Sequence, residues 1–257
     1  HALIGGVVGS TFVAAGADAV FGDGILGKVL IPALVAPVLA FVVGAVAIVI
    51  CYWVVGRQRP GPVSRGFRFG QVLSGGLLAL AHGTNDAQKT MGVIALALIA
   101  SGHLGTGEDP PLWVIVSAAS AIALGTYSGG WRIIRTMGTK IIKMDAAQGF
   151  SAQGAGAAVI LASSHFGFPL STTQVIAGGV MGAGAGKRFS AVRWGVAGNI
   201  VTAWVLTLPA AATIGGVTYL VTDLFPGALG PVLVSAVGLA LVAFAFARRI
   251  RQPVPGT

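Results

Sequence analysis

A short polar segment inside an apolar stretch carries the groups that could do chemistry. It runs from Ala81 to Gly92 (AHGTNDAQKTMG), and its Asp86 and Lys89 are the only charged residues between Arg68 and Glu108. A charge at membrane depth costs about 2.5–3.5 kcal/mol on insertion scales, so it marks an ion or substrate pathway. The Asp86 carboxylate can hold a cation or a proton, and a lysine three residues later can pair with it on one helical face. The segment predicts a transport site; the alternative is a static ion pair.

The same segment predicts an interruption of the helix that contains it. Gly83 allows the backbone to leave helical geometry, and Asn85 and Asp86 are residue types that favour helix starts. A helix broken at this point would expose carbonyls on one half and amides on the other, and both can bind ions. We therefore predict a broken helix between Gly83 and Asp86.

A second polar group consists of three consecutive hydroxyl residues, Ser171, Thr172 and Thr173, which follow Pro169 and begin an apolar arm. At the start of a half-helix, free amides and the positive end of the helix dipole point the same way, which makes an anion site. No carboxylate is expected nearby to repel an anion, and nothing demands a metal. The alternative is an ordinary helix N-cap.

Composition places these groups in a membrane. The chain has 257 residues, 55% of them hydrophobic and 9% charged, with a mean hydropathy of +0.87. A soluble domain has about 25% charged residues, so this composition predicts a polytopic all-α membrane protein. The net charge of +9 does not indicate nucleic acid, because the basic residues form clusters between apolar runs. These clusters are Arg57, Arg59, Arg65, Arg68; Arg132, Arg135, Lys140, Lys143; Lys187, Arg188, Arg193; and Arg248, Arg249, Arg251.

The charges also predict orientation. Acidic residues lie in the alternate connections, at Asp18, Asp23, Glu108, Asp109 and Asp223. Basic connections face the cytoplasm, so loops 57–68, 131–150 and 187–193 and the C-terminus are predicted to be cytoplasmic.

Apolar runs predict the membrane elements. The predicted crossings are 30–55, 69–100, 112–128, 191–221 and 229–247. Residues 131–143 alternate basic and apolar residues, which predicts a helix along the cytoplasmic interface. The arms 155–168 and 172–185 are each too short to span and have basic clusters at their outer ends, so they predict a re-entrant hairpin.

An internal repeat accompanies this layout. Residues 1–10 align with 174–183 at an offset of 173, and three glycines and one valine coincide. The first copy runs into an acidic connection and the second into a basic one, which is the pattern of inverted-repeat transporters. The prediction is a remainder of a first repeat at 1–56, a cytoplasmic loop at 57–68 and a second repeat at 69–257. Because the chain opens without Met inside an apolar segment, we expect it to be incomplete at its N-terminus.

Together the motifs resemble the inorganic phosphate transporter family, the low-affinity bacterial symporters related to sodium–phosphate cotransporters. Gly83-Thr84-Asn85-Asp86 is similar to the second Gly-x-Asn-Asp signature of that family. Pro169-Leu170-Ser171-Thr172-Thr173 is similar to its second hairpin tip. The likeness extends through 202–209 and includes 1–6, which resemble the segment after the first hairpin tip.

The resemblance implies phosphate transport across the bacterial plasma membrane, with no enzymatic activity, cofactor or metal. The residues implied to hold phosphate are Ser171, Thr172, Thr173, Gln174 and Asn85. Those implied for the coupling ion are Asp86, Asn85, Lys89 and Gln88. The sodium-coupled pattern has Asn where this chain has Lys89, so we expect coupling to protons rather than sodium. The first signature and the first hairpin tip are absent, so this chain alone is not expected to transport.

Alternatives remain open from the residues themselves. An uncoupled anion channel, a transporter of another oxyanion such as sulfate, and a membrane enzyme or assembly subunit with Asp86 in a proton relay would share several of these features. Formation of a homo-oligomer also stays open. His82 and His165 are the histidines whose titration is worth testing.

Overall fold

The computed structural model describes residues 1–250, without the side chains of residues 131, 132, 249 and 250. The predicted contributions of Arg132, Arg249 and Arg251 to the basic clusters therefore lie outside the described residues. Regular structure in 1–250 is helical throughout. The helices are α1 Ala2–Ala15, α2 Gly22–Ile25, α3 Ile31–Val55, α4 Pro60–Ala100, α5 Leu112–Gly129, α6 Trp131–Arg135, α7 Ala146–His165, α8 Thr172–Lys187, α9 Trp194–Asp223 and α10 Leu229–Ile250. Short π turns follow α2 (Leu26–Leu30) and α6 (Thr136–Lys140).

The chain forms two compact units. One consists of His1–Ile25 with the chain from Gly198 onward, and the other of Leu26–Ala197. The second unit contains α3 to α8 and therefore both polar motifs. The predicted ranges 1–56, 57–68 and 69–257 derive from the internal sequence repeat, whereas the two units are defined by compactness. The predicted ranges therefore stay a prediction.

Four helical segments within residues 1–250 are long and apolar enough to cross a membrane. They are Gly22–Val55, Leu112–Gly129, Trp194–Asp223 and Leu229–Arg248. Large apolar side chains on them are open, such as Leu34 in α3 and Leu206 in α9, as expected for surfaces that contact lipid. These segments confirm four of the five predicted crossings. The fifth, 69–100, is helical but is not among the four, because its polar residues lower its hydropathy.

The predicted break in this fifth segment is wrong. Helix α4 continues from Pro60 to Ala100 through Gly83 and Asp86. The Thr84 hydroxyl donates to the carbonyl of Leu80, four residues earlier, at 2.9 Å, so a polar side chain is satisfied without unwinding the backbone. One glycine costs a helix interior only about 1 kcal/mol. The motif therefore presents its polar groups from an intact helix.

Two further boundaries also differ from the prediction. Most of the predicted loop 57–68 is helical, since α4 begins at Pro60. Proline fits the first turn because the amides there have no intrahelical partner. Likewise α7 begins at Ala146 rather than 155. Asp145 and Gln148 form a capping box, in which the Asp145 carboxylate accepts from the Gln148 amide at 2.8 Å and the Gln148 side chain accepts in return at 3.0 Å.

Because α7 begins earlier than predicted, it is longer than a re-entrant arm needs to be. At 1.5 Å per residue, the 20 residues of α7 measure about 30 Å, which is enough to cross a bilayer core. Helix α8 has 16 residues, or about 24 Å, and remains short. The helical hairpin α7–α8 is present, whereas its re-entrant path is still a prediction.

Glycines bring α8 and α3 into backbone contact within the second unit. A side chain at Gly178 would overlap the carbonyl of Pro37, and one at Gly182 would overlap the carbonyl of Phe41. Small residues allow such close approach between helices in lipid. Buried alanines and aliphatic side chains of α3, α7 and α8 complete this core, with Ala40, Ile160 and Val175 fully inaccessible.

The first unit contains a helix contact of the same type. A side chain at Gly5 of α1 would approach the carbonyl of Leu208 in α9, and one at Gly9 would overlap the carbonyl of Ala212. Helix α9 continues through Pro209. The two glycines are also the two buried residues of α1, so this helix packs through its smallest side chains.

Candidate functional site

The predicted acid–lysine pair is present on α4. The Nζ atom of Lys89 lies 3.0 Å from Oδ1 of Asp86, and the two side chains are 26% and 32% exposed. Residues three apart on a helix are neighbours, so the intact helix makes this contact without help from other elements. The pair confirms the expected shared face.

The hydroxyl motif reaches the same carboxylate from another helix. The Oγ1 atom of Thr172, the first residue of α8, donates to Oδ2 of Asp86 at 3.2 Å. Thr172 is 3% exposed. The two motifs, 86 positions apart, therefore meet at one carboxyl group. The expectation that no carboxylate is near the hydroxyls is therefore wrong. Asp86 is distant from them in the sequence but lies beside Thr172 in the fold.

Lys89 joins α4 to the connection between α7 and α8. Besides Asp86, its ammonium donates to the carbonyl of Leu170. That connection is shaped by Gly167 at φ +73° and by a hydrogen bond from the Ser163 hydroxyl to the carbonyl of Phe168 at 2.7 Å. The ammonium thus lies between a carboxylate and a backbone carbonyl, beside the start of α8.

A third link joins α4 to α7. The Asn85 amide nitrogen donates to the Ser164 hydroxyl at 2.8 Å, and Asn85 is 5% exposed. Its Oδ1 atom is buried and has no hydrogen-bond partner among the described residues. A buried amide oxygen can accept one or two more donors, so the site has capacity for a ligand that donates hydrogen bonds.

His82 lies one turn before Asp86 on α4. Its Nδ1 atom is 3.4 Å from Asp86 Oδ2, but the two atoms do not have hydrogen-bond geometry, and Nδ1 is buried. The carboxyl group is therefore surrounded by three donors or potential donors: Lys89 on one oxygen, and Thr172 and His82 on the other.

The remaining predicted site residues are distributed as follows. Ser171 is the N-cap of α8 but its side chain makes no capping hydrogen bond, so the ordinary N-cap explanation does not account for its hydroxyl. Thr173 is exposed and Gln174 is buried at 4% exposure. Gln88 is exposed, and since residues two apart on a helix face different directions, the structure does not bring it to Asp86.

Sequence reasoning missed Ser164 and the Leu170 carbonyl. Ser163 and Ser164 are adjacent polar residues at the end of an apolar arm, and that pattern could have indicated Ser164. Nothing in the sequence marks the Leu170 carbonyl, because every residue has one. In the described part of the chain, no group of three or more His, Cys, Asp or Glu side chains could hold a metal ion.

Comparison with known families identifies the chain. The model of the phosphate transporter family matches residues 56–215, which include both polar motifs. The chain belongs to the phosphate transporter family. This is a family of transport proteins rather than enzymes.

Individual members of the phosphate transporter family align over most of the chain. A "Probable low-affinity inorganic phosphate transporter" of Mycobacterium leprae is 52% identical over 91% of this chain and 56% of its own length. Those of Mycobacterium tuberculosis and Rhizobium meliloti are 49% and 46% identical, over 62% and 67% of their own lengths. This chain thus spans 56–62% of the length of the mycobacterial relatives.

A solved structure shares the fold. "The sodium-dependent phosphate transporter" superposes with a TM-score of 0.73, covering 86% of this chain and 72% of that one, at 22% identity. At this identity the likeness supports the fold alone. It is a transporter fold, in agreement with the family match.

This member of the phosphate transporter family has a second acid–lysine pair. Lys187 Nζ lies 2.7 Å from Asp145 Oδ2, and the Tyr52 hydroxyl donates to the same oxygen at 3.2 Å. Burial acts to raise the pKa of Asp145, but hydrogen bonds from Lys187 and the Gln148 amide outweigh it, so the pKa is lowered from 3.8. The hydrogen bond to Asp145 raises the pKa of Lys187 above 10.5. The three residues join the ends of α3, α7 and α8.

Proposed function

We propose that the full-length protein imports inorganic phosphate together with protons by alternating access, and that Asp86 carries the proton. The observation that carries this proposal is the hydrogen bond from Thr172 Oγ1 to Asp86 Oδ2. It joins the first hydroxyl of a helix N-terminus, where an anion is favoured, to a titratable carboxyl group.

Electrostatics explains how this contact couples the two solutes. Two like unit charges about 4 Å apart repel by about 4 kcal/mol at an effective dielectric constant near 20, which is roughly a thousandfold in affinity. An ionised Asp86 therefore opposes an anion at Thr172. Protonation of Asp86 removes this repulsion and frees the Lys89 ammonium to attract the anion. Phosphate binds best when the proton is bound, which is the requirement for symport.

The position of Lys89 favours protons over sodium as the coupling ion. Its ammonium contacts Asp86 and the Leu170 carbonyl, so a positive charge that belongs to the protein is already present beside the carboxylate. The structural neighbour is named as sodium-dependent, and sodium is thus the competing coupling ion. Gradient experiments distinguish the two.

Matched helix contacts support the proposed inverted repeat. Gly178 and Gly182 contact Pro37 and Phe41 in one unit, whereas the aligned Gly5 and Gly9 contact Leu208 and Ala212 in the other. Leu208 follows Pro37 by 171 positions, and Ala212 follows Phe41 by 171 positions. Each unit thus contains an equivalent glycine-packed helix pair, as two copies of one repeat would. The re-entrant path of α7–α8 and the cytoplasmic orientation of the basic connections belong to the same proposal, and so does the plasma-membrane location.

Transport in liposomes tests the proposal. We expect the full-length protein to accumulate labelled phosphate against its gradient when an inward proton gradient is applied without sodium, and to lose accumulation when the gradient is collapsed. Uptake that follows a sodium gradient at constant pH would refute proton coupling. Equilibration without accumulation would indicate an uncoupled channel. Equal inhibition by a tenfold excess of unlabelled sulfate or phosphate would show that phosphate is not selected.

A further inference from the structure

His82 is a titratable contact of Asp86 that the proposed mechanism does not use, and its side chain is 32% exposed. Its Nδ1 atom is inaccessible to solvent, has no hydrogen-bond partner among the described residues and lies 3.4 Å from the carboxylate. A small rotation of the imidazole would convert this contact into a hydrogen bond. The other two neighbours of the carboxyl group, Lys89 and Thr172, already make hydrogen bonds to it.

His82 is also one of the residues that line a cavity of about 390 Å³. The cavity lies between α4, α5, α6 with its following π turn, and α8, and its polar side chains besides His82 are Thr126 and Thr173. It is large enough for several water molecules. His82 is therefore in contact with space that can hold water on one side and with the carboxylate on the other.

No other titratable side chain described around His82 contacts both the cavity and the Asp86 carboxylate. On α4 itself the charged neighbours are Asp86 and, through it, Lys89. From α8 the cavity receives Thr173 and Ile176, from α5 Thr126 and glycines, and from α6 and its π turn Ile133, Ile134 and Met137. Among the described side chains that line the cavity, His82 alone has a group that can accept and release protons.

We infer that His82 is the relay through which Asp86 exchanges its proton with this cavity. A proton taken from water at Nε2 is matched by release of the Nδ1 proton to Asp86 Oδ2, which leaves a neutral imidazole and a neutral carboxylic acid. The reverse transfer empties the site. This inference rests on the proton coupling proposed above and adds to it the route of the proton.

A relay has a signature that a structural residue lacks. Exchange of labelled for unlabelled phosphate at equal pH on both sides needs the loaded carrier to reorient, but it does not need the proton to leave. Net uptake needs proton release in every cycle. Loss of the relay should therefore slow net uptake and spare exchange.

The test compares His82→Gln with the control His103→Gln, which alters an exposed histidine in the 101–110 connection, in the full-length protein in liposomes. For His82→Gln we expect net uptake driven by a proton gradient to fall at least about tenfold, with equal-pH exchange within about twofold of the wild type. His103→Gln should leave both unchanged. His82→Ala gives a second readout: imidazole added to the medium should restore net uptake by occupying the place of the missing ring at the cavity.

Other outcomes would overturn the inference in distinguishable ways. Net uptake within twofold of wild type in His82→Gln would remove His82 from the route while proton coupling stands. Loss of both exchange and net uptake, together with no rescue of His82→Ala by imidazole, would show a structural role. Wild-type uptake that follows sodium at constant pH would overturn the proposed coupling and the relay with it.

Discussion

Two acid–lysine pairs lie at the two ends of α8, and their surroundings differ more than their geometry. Asp86 and Lys89 are 3.0 Å apart near its first residue, and Asp145 and Lys187 are 2.7 Å apart at its last. Asp145 caps the start of α7 and Lys187 ends α8, so each charge lies where the helix dipole favours it. Neither Asp86 nor Lys89 lies at an end of its own helix.

This difference indicates what each pair does. The charges of Asp145 and Lys187 each lie at a helix end where the helix dipole favours them. Stabilisation of the three helix ends is therefore sufficient to explain this pair. A pair in the middle of a helix that is predicted to cross the membrane would cost free energy there. Its carboxyl group also contacts a hydroxyl and an imidazole, which can influence its charge state. Consistency with local rules marks the structural pair, and departure from them marks the candidate site.

The largest expected effect separates the two acids. Asp86→Asn keeps the shape of the side chain but removes its proton exchange, and we expect net phosphate uptake to fall by at least roughly a hundredfold, the scale for loss of one member of a desolvated charge pair. Asp145→Asn, at the other end of α8, should reduce uptake by less than about fivefold, since its pair is about half exposed. Initial rates in liposomes measure both. Similar losses in the two variants would erase the distinction between the pairs.

Substitution of Lys89 should also reduce uptake more than substitution of Lys187, but the difference should be smaller than between the two acids. Lys89→Gln loses an ion pair and a charged hydrogen bond to the Leu170 carbonyl. Hydrogen bonds to charged groups contribute about 1.5–3 kcal/mol, so uptake should fall by roughly tenfold or more. Lys187→Gln should stay within about threefold. The double variant Asp86→Asn/Lys89→Gln should be no worse than Asp86→Asn alone, and additive losses would argue against a shared role.

Much of the site followed from local spacing. The i, i+3 distance predicts the Asp86–Lys89 contact, and three hydroxyls at the start of an apolar arm predict the N-terminus of α8, which begins at Thr172. The resemblance implied that Asn85 and residues 171–174 belong to one site, and the hydrogen bond from Thr172 to Asp86 brings the two motifs together. The four apolar crossings followed from length and hydropathy, which report lipid contact directly.

Other features depend on contacts that have no local signature. Gly83 predicts a break only if nothing holds the helix, and the hydroxyl of Thr84 bonded to the preceding turn shows that α4 accommodates the motif. The link from Asn85 to Ser164 joins residues 79 positions apart. The start of α7 is encoded locally by the capping box at Asp145. Its first two turns lie outside the apolar run, because they contain the polar residues Gln148, Ser151 and Gln153. The helix boundaries that were predicted wrongly thus lie where the sequence is polar and has no run of apolar residues to mark a helix.

The hydroxyl beside Asp86 should contribute less than either charge. Thr172→Val keeps the branched shape and removes the donor to Asp86 Oδ2. We expect the phosphate concentration for half-maximal uptake to rise by about threefold to tenfold, which corresponds to one net hydrogen bond. The control is Thr207→Val in α9, whose hydroxyl donates to the Ala203 carbonyl of its own helix and to no other group among the described residues. It should leave this concentration unchanged. An unchanged value in Thr172→Val would remove the hydroxyl from the phosphate site.

The smallest effect concerns stability and arises from the Asp145–Lys187 pair. The pKa of Asp145 is lowered from 3.8, so its contribution to the free energy of unfolding is complete above that pH and disappears as the pH falls through the lower folded-state pKa. The pKa of Lys187 is raised from 10.5, so its contribution is complete below that pH and disappears as the pH rises through the higher folded-state value.

Between these limits the pair should contribute about 0.2–1 kcal/mol, because both side chains are partly exposed and screened by solvent. Thermal unfolding of the purified protein in detergent should therefore show Asp145→Asn slightly less stable than wild type at pH 7, with the difference shrinking as the pH falls below 3.8. The double variant Asp86→Asn/Lys89→Gln serves as the contrasting variant. Its stability should equal or exceed that of wild type at pH 7, since it removes both charges of the pair and leaves neither unpaired. A larger stability loss in this double variant than in Asp145→Asn would show that the Asp86–Lys89 pair has the structural role.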